Sequence, residues 1–316
     1  MAFQEMKILR GNSHFSIVNI RPYSKQQINQ MKLQLYRMYA LLSVASMFYL
    51  SVNAQADVQE VPYGNNQAAG HFITLDGARQ YYEIYGTGEP LVLIHGNGGN
   101  IAYMKPQIEN FAGKYKVIVM DCRGRGKSEL GKDSLTYMQM AKDIAGILNY
   151  LKLDSTYVVG RSDGGILALL LAIYYPQKVK KAVAFAANLT PDRKGLYPFF
   201  YNEVQRDRKQ ADEMIRRKDT SKNWKIIQQR NRMIEFQPHI SAGDLKKIKC
   251  PVLVMSTDRD IIPEEHTLHI YRNIAKANLC ILTGENHYVT KNNPDLFNSI
   301  AGKYLADNYM GEKLRH

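Results

Sequence analysis

Cysteine is scarce in this chain: Cys122, Cys250 and Cys280 are the only three in 316 residues. An odd number at wide spacing excludes a disulfide framework, and each lies in or beside a strand pattern, where a buried free thiol is expected. Long apolar runs are also missing. The longest near the N-terminus, Tyr39 to Leu50, is too short for a comfortable membrane span. There is no internal repeat, no interleaved basic-aromatic stretch and no nucleic-acid module, so the formal net charge of +13 does not point to nucleic acid. No metal or other cofactor is expected.

What is present begins with length. With 45% apolar residues over 316 positions, the chain can bury a full core, as one domain carrying an insertion rather than two domains. The first 56 residues differ from the rest. Arg37-Met38 precedes the apolar stretch, and Ser51-Val52-Asn53-Ala54-Gln55-Ala56 follows it. A basic flank, about a dozen apolar residues and a small-x-small site make a secretory signal peptide. Counted from Met31 its basic region has ordinary length. We therefore expect residues 1–30 to be an upstream extension, 31–56 the signal, and cleavage after Ala54 or Ala56. The product would be exported, periplasmic or secreted, without a stable membrane anchor. The remaining residues hold 36 Lys and Arg against 28 Asp and Glu, or +8.

From residue 57 onward, strands and helices alternate. His71–Leu75 and Arg79–Tyr85 flank Asp76-Gly77 as a hairpin. Leu91–Ile94 is a continuous apolar strand suited to burial on both faces, Lys116–Met120 is another buried strand, and Tyr157–Gly160, Val179–Ala187, Pro251–Met255 and Asn278–Leu282 are further strands. Helical patterns separate them, one opened by the capping box Thr136-x-x-Gln139, one by Pro263 and one by Asn293-Pro294. This alternation predicts a mostly parallel sheet covered by helices on both faces. Residues 188–247 break the rhythm with short helical patterns, many charges and the aromatics Tyr197, Phe199, Phe200, Tyr201, Trp224 and Phe236. The predicted division is a core over 57–187 and 248–316, with a helical cap over 188–247.

The chemistry concentrates at Tyr157-Val158-Val159-Gly160-Arg161-Ser162-Asp163-Gly164-Gly165. Three β-formers lead into Gly-x-Ser-x-Gly and a helix follows at once, the pattern of a nucleophile elbow that lifts a serine hydroxyl above a parallel sheet. Side chains at 160 or 164 would clash across so sharp a corner. The serine needs a base, and the base an orienting acid. His287, just past a late strand in Thr283-Gly284-Glu285-Asn286-His287, is the expected base; His239, His266 and His269 are expected at the surface. Asp260 is the expected acid, with Asp258 as the alternative. Backbone amides of Asn97, in the turn His95-Gly96-Asn97-Gly98-Gly99, and of Asp163 would form the oxyanion hole. His95 is expected to brace that turn.

These residues, together with Asp121-x-Arg123-Gly124-x-Gly126-x-Ser128, resemble the α/β-hydrolase family over about residues 70 to 308. Ser162-Asp163-Gly164-Gly165-Ile166, Tyr175-Pro176 and Ala186-Ala187-Asn188 are similar to its biphenyl-hydrolase-like branch, which includes serine esterases acting on α-amino-acid esters. Two positions depart from the family pattern: Thr257 stands where glycine is usual, and Arg161 where an aromatic residue is frequent. The resemblance implies a hydrolase of small carboxylic esters acting through an acyl-enzyme, with a small-molecule partner. The Asp163 carboxylate could then pair with a substrate ammonium group or simply salt-bridge within the fold; Gly98 and His95 are further candidate substrate contacts. A proline-iminopeptidase-like amidase and a carbon–carbon bond hydrolase would use the same parts. A receptor that kept the fold without catalysis is the alternative from another class. Aspartyl-nucleophile dehalogenases and epoxide hydrolases are disfavoured by the serine.

Overall fold

The computed structural model describes residues 23–53, 60–131 and 134–308. It divides into two units at Glu60 and Val61. In the first, Lys25–Asn53 forms a single helix, α1, whose side chains from Lys25 to Ser43 are exposed. No helix among the described residues is long and apolar enough to cross a membrane. The expected cleavage positions Ala54 and Ala56 and most of the expected upstream extension lie outside the described residues.

The second unit opens with the hairpin of β1 (Gly70–Leu75) and β2 (Ala78–Tyr85). Asp76 and Gly77 both have positive φ, 46° and 72°. A two-residue turn with both central residues left-handed matches the twist of the strands it joins. The remaining strands are β3 (Glu89–Ile94), β4 (Tyr115–Met120), β5 (Thr156–Arg161), β6 (Val179–Phe185), β7 (Val252–Arg259) and β8 (Ala277–Asn286). They form one eight-stranded sheet in the order β1-β2-β4-β3-β5-β6-β7-β8. The β1–β2 and β2–β4 pairs are antiparallel and all others parallel.

The inner parallel strands β3 to β7 are largely buried on both faces, and their side chains alternate between two cores, whereas β8 at the sheet edge is mostly exposed or half-buried. Val92, Ile94, Val158, Ala182 and Val254 join one core with helices α3 (Tyr137–Tyr150) and α4 (Asp163–Tyr174). Leu91, Leu93, Val159, Val183 and Leu253 join the other, with α2 (Lys105–Phe111) and the last helix, Pro294–Ala306. Between β6 and β7 the chain leaves the sheet to build the cap: α5 (Pro198–Arg216), α6 (Trp224–Phe236) and the short α7 (Ala242–Leu245). After β7 come α8 (Glu264–Asn273), then β8, α9 (Val289–Asn292) and α10, the last helix.

Several local expectations need correction. Thr136 accepts a hydrogen bond from the Gln139 amide, but the Gln139 side chain turns to Asp76 and Asp143, so the capping box is half formed. Pro263 is the cap residue before α8 rather than its first residue. Cys280 is only half-buried. Strand β8 runs four residues past its apolar pattern, because polar Thr283 to Asn286 continue along an extended β7. Composition hides that extension, and it matters for the site.

The corner between β5 and α4 has no spare room. A Cβ on Gly160 would stand 1.9 Å from the Gly164 carbonyl oxygen, and one on Gly164 2.2 Å from that of Ile94. Backbone atoms cannot swing aside as a side chain can. Gly164→Ala is therefore expected to destabilise the fold by about 3 kcal/mol or more, read as a lowered thermal midpoint. An unchanged midpoint would show that the corner can open.

Candidate active site

Ser162 sits between β5 and α4 with φ 54° and ψ −119°, a conformation costly for a residue with a side chain. It is held there by its own amide, which donates to the Phe185 carbonyl at 2.8 Å, and by the Gly165 and Ile166 amides, which donate to its carbonyl. Its hydroxyl therefore projects from the C-terminal edge of the sheet, ahead of the N-terminus of α4, where unpaired amides favour negative charge.

The extended β7–β8 pairing brings the other two predicted residues to the same edge. Arg259 pairs with Asn286, so Asp260 and His287, next along each strand, meet. His287 Nδ1 lies 2.7 Å from Asp260 Oδ1, and its Nε2 lies 3.1 Å from Ser162 Oγ. The ring stacks on Phe185, and the Arg161 guanidinium donates to the His287 carbonyl at 3.1 Å.

Asp260 is buried and fully engaged. Its Oδ1 also accepts from the amides of Ile261 and Ile262, and its Oδ2 from the hydroxyls of Ser256 and Thr257. Thr257, the departure from the family pattern, thus supplies a hydroxyl to the acid. Burial alone would raise the Asp260 pKa; the imidazole and the two amides outweigh it and hold the carboxyl below its ordinary value. Asp258, the alternative acid, points elsewhere: it is exposed and accepts from the Gly284 amide and the Thr283 hydroxyl.

The turn after β3 is braced from beneath. His95 is 1% exposed; its Nδ1 lies 2.7 Å from the Gly96 carbonyl, and its Nε2 accepts from the Cys122 amide at 3.0 Å. Burial pushes its pKa down to about 3, so the ring is neutral, with the proton on Nδ1. It supports the loop and is not a substrate contact, which corrects that candidacy. The Asn97 side chain accepts from Arg125 at 3.1 Å, tying its turn to the loop after β4. The Asp163 amide opens α4 and so has no acceptor within the helix. Gly98 is exposed at the site, with φ 69°.

The Asp163 carboxylate is not open to substrate. It is buried, accepts from the Tyr137 hydroxyl at 2.9 Å and pairs with Arg125 at 3.4 Å. Burial raises its pKa against the pull of Arg125. The salt bridge within the fold is what the side chain makes, and the ammonium-binding candidacy is corrected accordingly. Asp163→Ala is expected to strand the Arg125 charge, lower stability by about 3–5 kcal/mol, and depress aminoacyl and acetyl ester turnover alike. Loss confined to aminoacyl esters in a thermal-melt and kinetic comparison would return the carboxylate to the substrate.

Sequence reasoning missed Arg125 and Arg230 as parts of this site. Arg125 was visible within the glycine-punctuated loop after β4, but Arg230 lies in a charged helix that looks like any solvated face. His266 was misplaced at the surface. It is buried and accepts from the Leu189 amide at 2.9 Å, bracing the exit of β6, whereas His239 and His269 are exposed as expected. The cap aromatics do not form one wall. Trp224 is buried, its indole N–H donating to Asp219, while Phe199 and Phe236 are largely exposed.

A sheet of this order with a serine on the corner after β5 defines a class, and comparison with known proteins agrees. Residues 89–223 match a family model described as the alpha/beta hydrolase fold. The RutD protein of Caulobacter sp. (strain K31), named as a carbamate hydrolase, is 25% identical over 265 residues, covering 74% of this chain and 97% of that one. The human serine hydrolase BPHL is 24% identical over 247 residues, covering 74% and 85%. A RutD protein of Azorhizobium caulinodans is 38% identical, but over 102 residues, 38% of its length. Among solved structures, the α/β hydrolase MGS-M2 from a deep-sea metagenome superposes with TM-score 0.68 at 19% identity, covering 77% of this chain and all of that one. A thermophilic esterase from Thermogutta terrifontis does so with TM-score 0.61 at 23%, covering 76% and 99%. The chain is an enzyme of the alpha/beta hydrolase fold.

Proposed function

We propose that the chain is a serine hydrolase of small carboxylic esters, of the biphenyl-hydrolase-like branch. The observation that carries this reading is the unbroken hydrogen-bonded run from Asp260 through His287 to Ser162. Ser162 Oγ attacks the ester carbonyl as His287 Nε2 takes its proton. Asp260 keeps the other ring proton on Nδ1 and stabilises the imidazolium that forms. The carbonyl oxygen, now negative, is held by the amides of Asn97 and Asp163. The imidazolium returns the proton to the leaving alkoxide, and water, activated by the same imidazole, releases the acid from Ser162.

The names of the relatives support bond classes that such parts can cleave: carbamates in RutD and esters in the Thermogutta enzyme. An amide or carbon–carbon bond would use the same three residues, and a non-catalytic receptor would keep them without using them. A fluorophosphonate probe tests the reading directly. It is expected to label Ser162 and to be blocked by prior turnover-inhibiting phosphonylation. No labelling of the folded protein would sink the reading. A panel of acetyl, butyryl and aminoacyl esters, an aryl carbamate and a prolyl amide then separates the bond classes.

We also propose export, from the basic flank, apolar run and small-residue site of residues 31–56. Expression with the natural N-terminus should yield a mature chain beginning at Gln55 or Asp57 outside the cytoplasm. Full-length protein retained in the cytoplasm would overturn this.

A further inference from the structure

Three guanidinium groups converge on Ser162 and the turn Gly96–Gly99, and negative charge there does not match them. Arg125, buried, spends its Nη atoms on the Arg123 carbonyl, Asn97 and Asp163. Arg161, also buried, gives Nη2 to the His287 carbonyl and lies over the Tyr103 ring. Its Nη1 comes within 3.0 Å of where a Cβ on Gly96 would be, a point that Ser162 Cβ approaches to 2.9 Å. Arg230, reaching down from α6, has Nη2 3.3 Å from the equivalent point on Gly98, the residue after Asn97. In all three the Nε is buried with no hydrogen-bond partner. Among the described residues, Asp163 is the one carboxylate paired with any of them, through Arg125; Asp260 is committed to His287.

An arginine cannot relieve burial by losing its proton, so a guanidinium drawn from water needs an anion or a full set of acceptors. Arg125 and Arg161 have protein partners and act as braces. Arg230 makes no hydrogen bond or ion pair with any described residue: Asp163 and Asp207 act on it only at longer range, one paired with Arg125 and the other with Arg206. It is half-buried, so a molecule entering from solvent can reach it. Its two Nη groups, engaged by no described residue and turned toward Gly98, form an end that accepts a carboxylate through two parallel hydrogen bonds.

We infer that Arg230 binds a carboxylate on the substrate, and that the preferred substrates are esters carrying a second, ionised acid group a few bonds from the scissile carbonyl. This rests on the ester-hydrolase reading. It reverses the substrate charge that the family resemblance implied: the surplus of guanidinium groups repels an α-ammonium group and attracts an anion.

The test compares methyl hydrogen glutarate with methyl pentanoate, and carboxymethyl butanoate with propyl butanoate, by proton release at constant pH. These pairs place the carboxylate on the acyl and the alcohol side. The wild type is expected to favour the charged member of at least one pair by 10- to 100-fold in kcat/KM, mainly through KM. Arg230→Gln should bring that ratio to within about threefold, and Arg230→Lys should retain part of it. Independently of turnover, glutarate should slow fluorophosphonate labelling of Ser162 in the wild type and not in Arg230→Gln. Ratios near one for both pairs in an enzyme that cleaves the neutral esters, or a preference that survives in Arg230→Gln, would overturn the assignment and leave the ester reading standing. Failure of the wild type to label at all would overturn the reading beneath it.

Discussion

Ser162→Ala and His287→Ala are each expected to lower kcat/KM by about 10⁵-fold or more, with the double variant no worse than either single one. On the proposed mechanism the two side chains act as one device. The hydroxyl at 3.1 Å from His287 Nε2 is a weak nucleophile until its proton has somewhere to go, and the imidazole without the hydroxyl has no bond to make. What survives either loss is the help given by the oxyanion donors and by binding, which is shared by all three variants. Both changes remove atoms without adding any, and the corner is fixed by main-chain bonds at Ser162 and by the glycines around it. Ser162→Ala should therefore leave the thermal midpoint nearly unchanged, and its kinetic loss can be read as chemistry; His287→Ala leaves the buried Asp260 carboxylate without its imidazole partner and should lower the midpoint, so its rates are compared well below that midpoint. Ser162→Ala retaining more than about 1% of activity would show that another nucleophile does the work. Additive losses in the double variant would show that the two residues act separately.

Most of this site was legible in the chain before its fold was seen, because its parts sit where strong local rules operate. Gly160, Ser162 and Gly164 are forced together by sterics: the pattern exists because nothing larger fits between β5 and α4. His287 and Asp260 were legible because each follows an apolar strand, and the C-terminal ends of parallel strands converge on one edge. The hairpin at Asp76-Gly77 was legible because few dipeptides take two positive φ values. What escaped has a different physical origin. The last residues of β7 and β8 are polar, and their strand character comes from pairing with each other, which no periodicity records. The partner of Asp163 was undecidable because Arg125 and Tyr137 reach it from 38 and 26 residues away. Arg230 was illegible for the same reason: a basic residue on an amphipathic cap helix shows nothing of the direction in which its side chain turns.

On the proposed mechanism Asp260→Asn should cost about 10³- to 10⁴-fold in kcat/KM, the scale seen when the acid of a Ser-His-Asp site is changed to the amide, whereas Asp258→Asn should stay within about twofold of wild type. The distinction lies in what each carboxylate touches. At 260 the amide would present either an NH₂ group to His287 Nδ1, driving the ring proton to Nε2 where it blocks acceptance from Ser162, or an uncharged oxygen unable to stabilise the imidazolium. At 258 the carboxylate only accepts from the Gly284 amide and the Thr283 hydroxyl at the surface, and an asparagine oxygen can do the same. Stability gives a second readout. The folded-state pKa of Asp260 is held below its ordinary value, so its contribution is present above the unfolded carboxylate pKa of about 3.9. That contribution is lost as pH falls through the folded value. In Asp260→Asn this part of the acid-side decline in thermal midpoint, below about pH 4, should disappear; Asp258 is also depressed but is exposed, so its share is small and screened. If Asp258→Asn proved the crippled enzyme and Asp260→Asn the active one, the acid of the site would have to be reassigned, and with it the geometry that orients His287.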